Sequence, residues 1–125
     1  MRPTTHNVLL GKSGETYACR ELESRGYEIL ARRYRTRLGE IDIVARDGDT
    51  VVFIEVKARR TERFGRPAEG VTPVKQRTLC QMASYYVLEH GLANARCRFD
   101  VVEVRFGTGA RLPQIDILRS AFDAR

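Results

Sequence analysis

The chain has 125 residues, 42% hydrophobic and 30% charged, and carries a formal net charge of +6 from 22 basic and 16 acidic side chains. That length suits one domain around one core, and no window approaches the roughly 18 apolar residues of a membrane span. Three scattered cysteines (Cys19, Cys80, Cys97) and two histidines (His6, His90) supply neither a zinc knuckle nor a disulfide framework.

Residues 1–10 read as a flexible N-terminal arm ahead of a single domain over residues 11–125. The arm lacks the apolar run of a secretory signal, so a cytoplasmic location is expected. Ser13 is placed to cap a helix that runs to Arg25 and ends at Gly26. "YEILARRYR" (27–35) reads as a strand, followed by a turn at Arg37-Leu38-Gly39. Ile41–Arg46 and Val51–Ala58 then form a hairpin. Residues 59–72 read as a long polar loop, and loops of that length are often functional. Thr72 and Pro73 open a second helix that ends at His90-Gly91. "CRFDVVEVR" (97–105) is a strand and "LPQIDIL" a short edge strand. This order predicts an α/β fold with a mixed central β-sheet flanked by helices.

Within "GEIDIVARDGDTVVFIEVKARR" (39–60), Glu40, Asp42, Glu55 and Lys57 interrupt the most hydrophobic part of the chain. If the turn is Gly48-Asp49, or residues 47–50, Asp42 falls opposite Glu55. If it is Asp47-Gly48, Asp42 meets Phe53 and Glu55 lies one diagonal step away. Either way Asp42, Glu55 and Lys57 share a face, with Ile41, Ile43, Val52, Ile54 and Val56 on the other. Two half-buried carboxylates repel each other, and a divalent cation would relieve the repulsion. With so little Cys and His, the donors would be oxygen, which favours Mg2+ or Mn2+ over zinc. Glu15 stands on a stripe with Ala18 and Leu22 and so faces the core as well. Lys75 occupies the inner N-terminal end of the second helix, against the helix dipole.

Basic residues crowd the same region: ten of the 35 residues from Arg32 to Arg66 are Arg or Lys, against six acids. The chain uses Arg at 19 positions and Lys at only three, Lys12, Lys57 and Lys75, so a compact ammonium matters at the latter two. A phosphate loop at "GKS" (11–13) is rejected, because His6 stands where its first Gly is required. Gln81 and Tyr85 have the spacing seen in some nucleases but read as helix surface and packing residues.

"GKSGETYACRELESRGYEIL", "YRTRLGEIDIVARDGDTVVFIEVKARR", "VTPVKQ" and "RFDVVEV" together resemble the YraN-like family of uncharacterised bacterial proteins, over about Gly11 to Phe122. That family is similar in turn to the restriction-endonuclease-like nucleases of the PD-(D/E)xK motif, including Holliday-junction resolvases and tRNA-endonuclease-like domains. The resemblance implies a restriction-endonuclease-like fold in which Asp42, Glu55 and Lys57 fill the motif and Glu15 fills the helical Glu of resolvase-like members. Ile41 stands where the motif's name has Pro.

By that resemblance Asp42, Glu55 and the Val56 carbonyl would hold Mg2+ or Mn2+. Lys57 would balance charge at phosphorus, and Glu15 would position water or complete a second metal site. Lys75, Arg33, Arg35, Arg37, Arg59 and Arg60 would contact the phosphates of DNA or RNA, with Tyr34 and Phe64 as candidate base-stacking rings. The expected function is structure-selective phosphodiester hydrolysis, and a homodimer suits cutting of two strands. The alternatives are a catalytically inactive nucleic-acid-binding module on the same fold, and a docking protein that uses the acids as a salt bridge.

Overall fold

A computed structural model describes residues 5–60, 71–107 and 112–121, with side chains described from Ser13 onward. The elements run α1 (Thr5–Ser24), β1 (Glu28–Thr36), β2 (Gly39–Asp47), β3 (Thr50–Arg60), α2 (Pro73–Glu89), β4 (Arg96–Phe106) and β5 (Gln114–Leu118). The strands make one five-stranded sheet in sequential order. Neighbours are antiparallel except β3 and β4, whose parallel pairing requires a crossover that contains α2. This is the mixed α/β sheet the sequence predicts.

Alternation along the central strands divides the core into two layers. Val44, Phe53, Phe99 and Val101 pack with Leu79, Met82 and Tyr86 of α2. Ile43, Val52, Ile54, Val102 and Val104 pack with Ala18 and Leu22 of α1. Both parities of β3 and β4 are therefore apolar, as covering on both faces requires. Gly14 lets α1 sit close to the sheet, since a Cβ there would lie 2.5 Å from the Ala58 Cβ.

Thr72 caps α2 by accepting from the Lys75 N–H at 3.2 Å, Pro73 follows, and Gly91 takes φ 67 beyond the helix end. The start of α1 differs from expectation: the helix begins at Thr5, so Ser13 is internal and much of the predicted arm is helical. Gly11 costs helix stability but does not break an otherwise permissive segment. Arg59 and Arg60 belong to β3 instead of a loop. The rest of that loop, residues 61–70 with Phe64, lies outside the described residues. Cys19 is buried and Cys80 half-buried, but Cys97 is exposed, because it enters β4 ahead of the first core residue, Phe99. Among the described residues no helix is long and apolar enough to cross a membrane.

Candidate active site

The pairs Asp47↔Thr50 and Ile43↔Ile54 fix a two-residue turn at Gly48-Asp49, with Gly48 at φ 64. One step further would set Asp42 opposite Glu55, but the regular pairing ends at Ile43. There the side chain takes over from the ladder, and Asp42 Oδ2 accepts the Val56 N–H at 2.7 Å. The same departure carries Ile41 into the α2 layer beside Val44, a correction to the strict alternation that assigned it to the α1 side.

Burial raises the Asp42 carboxyl from 3.8 to about 6, opposed by the Val56 hydrogen bond and reinforced by the charges of Glu55, Glu15 and Glu40. The Glu55 side chain is 17% exposed. One of its oxygens pairs with Lys75 Nζ, while Oε2 is buried without a hydrogen-bond partner. Glu40, Asp42 and Glu55 also line a cavity of about 10 Å³ beneath α2, with Phe53, Leu79 and Val101 among its walls. Room there is about that of one water or small ion.

Lys57 is half-buried on the strand parity of Glu55, and the parallel register sets it beside Glu103 of β4. Glu15 is buried on α1 and gripped by two consecutive arginines, Arg32 Nε at 3.0 Å and Arg33 Nε at 3.3 Å. Successive strand residues normally point to opposite faces. Arg33 evades this by adopting φ 56, a left-handed conformation costing a non-glycine residue about 1–2 kcal/mol.

Most of the expected phosphate contacts are engaged within the protein. Arg35 pairs with Glu40 at 2.6 Å, Arg59 with Glu103 at 2.9 Å, and Lys75 with Glu55. The paired cationic side chains, Arg33 included, remain 39% to 70% exposed. The Arg35–Glu40 pair is solvated on both sides and worth about 0–1 kcal/mol, so a phosphate can displace it. The carboxylates held by Arg33, Arg59 and Lys75 are only 4% to 17% exposed and cost more to leave unpaired. Arg37 and Arg60 are exposed on the first turn and at the end of β3. Tyr34 packs edge-on to Tyr86 at 5.2 Å and donates to Glu89 at 2.5 Å, which makes it a packing residue and not a stacking platform.

Glu103 was not singled out from the sequence, although "RFDVVEVR" carries the signal: an acid at core parity in an apolar run. It is buried, 2.9 Å from an Arg59 nitrogen and 3.4 Å from Arg105 Nε. At the other end of the sheet, Arg98 binds Asp100 at 3.0 Å, Asp47 at 3.1 Å and the Tyr27 hydroxyl at 2.8 Å. That second cluster ties β4 to the β2–β3 turn and to the entrance of β1.

Among the described residues, no three Asp, Glu, His or Cys side chains gather into a ready-made metal cage. The Asp42–Glu55 pair nonetheless suits a hard cation. Asp42 is costly to ionise where it sits, and a buried Glu55 oxygen lacks a hydrogen-bond donor. An ion held by so few carboxylates retains water, as magnesium does.

A model of the uncharacterised protein family UPF0102 matches residues 14–104. The chain is 46% identical to a UPF0102 protein of Caldicellulosiruptor saccharolyticus, over 90% of this chain and 96% of that protein. It is 47% identical to one of Symbiobacterium thermophilum, over 92% and 97% respectively. A UPF0102 protein of Desulfosudis oleivorans is also 47% identical, over 91% and 89%.

Proposed function

The chain belongs to the UPF0102 family, the YraN-like proteins, and from that premise we propose that it is a Mg2+- or Mn2+-dependent nuclease of restriction-endonuclease-like fold. The observation that carries this reading is the acid pair where β2 leaves β3: Asp42 with its carboxyl raised to about 6, beside Glu55 with an unsatisfied buried oxygen. A buried Asp42 carboxyl that resists ionisation beside a second acid is a poor stabilising device and a good cation ligand.

Asp42, Glu55 and the Val56 carbonyl hold the ion, which when bound supplies Lewis acidity toward a phosphate oxygen and a more acidic water. The Val56 N–H fixes the Asp42 carboxylate, so this ligand is oriented before any ion arrives. Lys57 presents positive charge where negative charge accumulates on phosphorus. Glu15, held by Arg32 and Arg33, sets the far wall of the site. Lys75 and the exposed arginines would reach backbone phosphates of DNA or RNA. Selection of the substrate by shape follows from contacts that reach phosphates and not base edges.

The deciding experiment incubates branched, single-stranded and duplex substrates with Mg2+ or Mn2+, beside Lys57→Ala. Metal-dependent cutting that the substitution abolishes supports the nuclease. A second reading, a non-cleaving nucleic-acid-binding module, is favoured by the internal neutralisation of Glu15 and Glu55 by arginine and lysine. Salt-sensitive binding without cutting would select it.

A further inference from the structure

Between the β1–β2 turn and the outer face of α2 lies an open groove of about 720 Å³ that the candidate site does not use. Its apolar lining is unusually exposed: Tyr85 51%, Leu88 68% and Leu38 43%. Arg35 and Arg37 stand on the turn side of the groove. Its single acid, Glu89, accepts the Tyr34 hydroxyl. The groove is therefore an aromatic and aliphatic floor beside two guanidinium groups.

Those features select among occupants. A duplex presents phosphates and sugars outward and would leave the apolar floor uncovered. A second copy docked by two-fold symmetry would have to offer acids to Arg35 and Arg37, and the groove's single acid, Glu89, already accepts the Tyr34 hydroxyl. An unpaired strand satisfies both halves of the lining, with base faces for the ring and leucines and phosphates for the arginines. The groove is also linked to the acid pair through one ion pair. Arg35 lines it and holds Glu40, and Glu40 lines the cavity shared with Asp42 and Glu55.

We propose that this groove seats a single-stranded nucleic-acid segment, with Tyr85 stacked on a base and Arg35 and Arg37 on the flanking phosphates. Resting on the nuclease reading for its consequence, the proposal makes the substrate a duplex with an unpaired arm, cut near the junction. The arm lies across α2 while the scissile phosphate reaches Asp42 and Glu55.

The test is fluorescence anisotropy in chelator, with dye-labelled oligothymidylate, oligouridylate and a blunt duplex of equal length. Tyr85→Ala is expected to weaken binding of the single strands about tenfold, the usual value of one ring–base stack. Tyr85→Phe keeps the ring and should stay within about twofold of the parent protein. Neither change should move duplex binding. Tyr85 is exposed, so folding survives its loss, and circular dichroism checks that. Unchanged single-strand affinity in Tyr85→Ala, an equal loss on duplex, or no single-strand binding by the parent protein overturns the proposal. So does a dimer that Tyr85→Ala dissociates. Ring-dependent single-strand binding without metal-dependent cutting keeps the groove and sinks the nuclease reading alone.

Discussion

Replacing Asp42 by Asn should make the protein more stable while removing the chemistry assigned to it. Folding raises this carboxyl from 3.8 to about 6. Between those values the native state binds more protons than the unfolded chain, so this group's contribution to stability falls as pH rises through that window and stays low above it. A shift of roughly two units corresponds to about 3 kcal/mol, and partial solvent access reduces the expectation to about 1–3 kcal/mol. Asparagine keeps an oxygen for the Val56 N–H but carries no charge. Urea unfolding in chelator, followed by circular dichroism, should therefore show Asp42→Asn ahead of the parent by about 1–3 kcal/mol near pH 8. The gap should close near pH 4, where the parent's carboxyl is protonated in the folded state. Equal stability near pH 8, or a gap that widens as pH falls, would refute the reasoning.

Calorimetric titration with Mn2+ should give binding near neutral pH that Glu55→Gln removes, and affinity should drop below about pH 6 as Asp42 takes up a proton. Gly14→Ala should destabilise by about 1–3 kcal/mol by pushing α1 off β3. Adding Ala58→Gly to that variant should restore much of the loss in thermal unfolding, because the clash is with that methyl group. Arg98→Met should cost about 3–5 kcal/mol in urea unfolding, since it strands the buried Asp100 carboxylate. The Ser120 N–H, at 3.0 Å, would remain to that carboxylate.

The hairpin was legible because strand alternation has a fixed period and Gly48 limits where the chain can turn. In each even register the sequence allows, Asp42 and Glu55 fall at one end of the pair. Ile41 escaped the same rule because alternation assumes a ladder continuous with β3, and that ladder stops at Ile43. Nothing local marked Arg33 for a left-handed backbone, a conformation that Gly or Asn usually signals. The grip of Arg32 and Arg33 on Glu15 was hidden for the same reason. The start of α1 was misplaced because Ser13 is a good cap by residue type, while the preceding segment contains no residue that forbids a helix. Pairings such as Lys75 with Glu55 depend on how α2 docks, which no local pattern records. Glu103 was readable by the logic applied to Asp42, but the parallel neighbour that gives it meaning is set by topology.

The lone parallel seam orders events in time. Glu15, Asp42, Glu55 and Lys57 all precede β4, and a meander of tight hairpins brings the last three together with little chain-closure entropy. The seam must wait for α2 and the start of β4, a distant contact of the kind that slows folding. The three acid- and lysine-bearing strands thus precede in the chain both α2, which covers them, and β4, which extends their sheet. The docking of β4 onto β3, and not the making of the acid pair, is the long-range closure expected to limit folding.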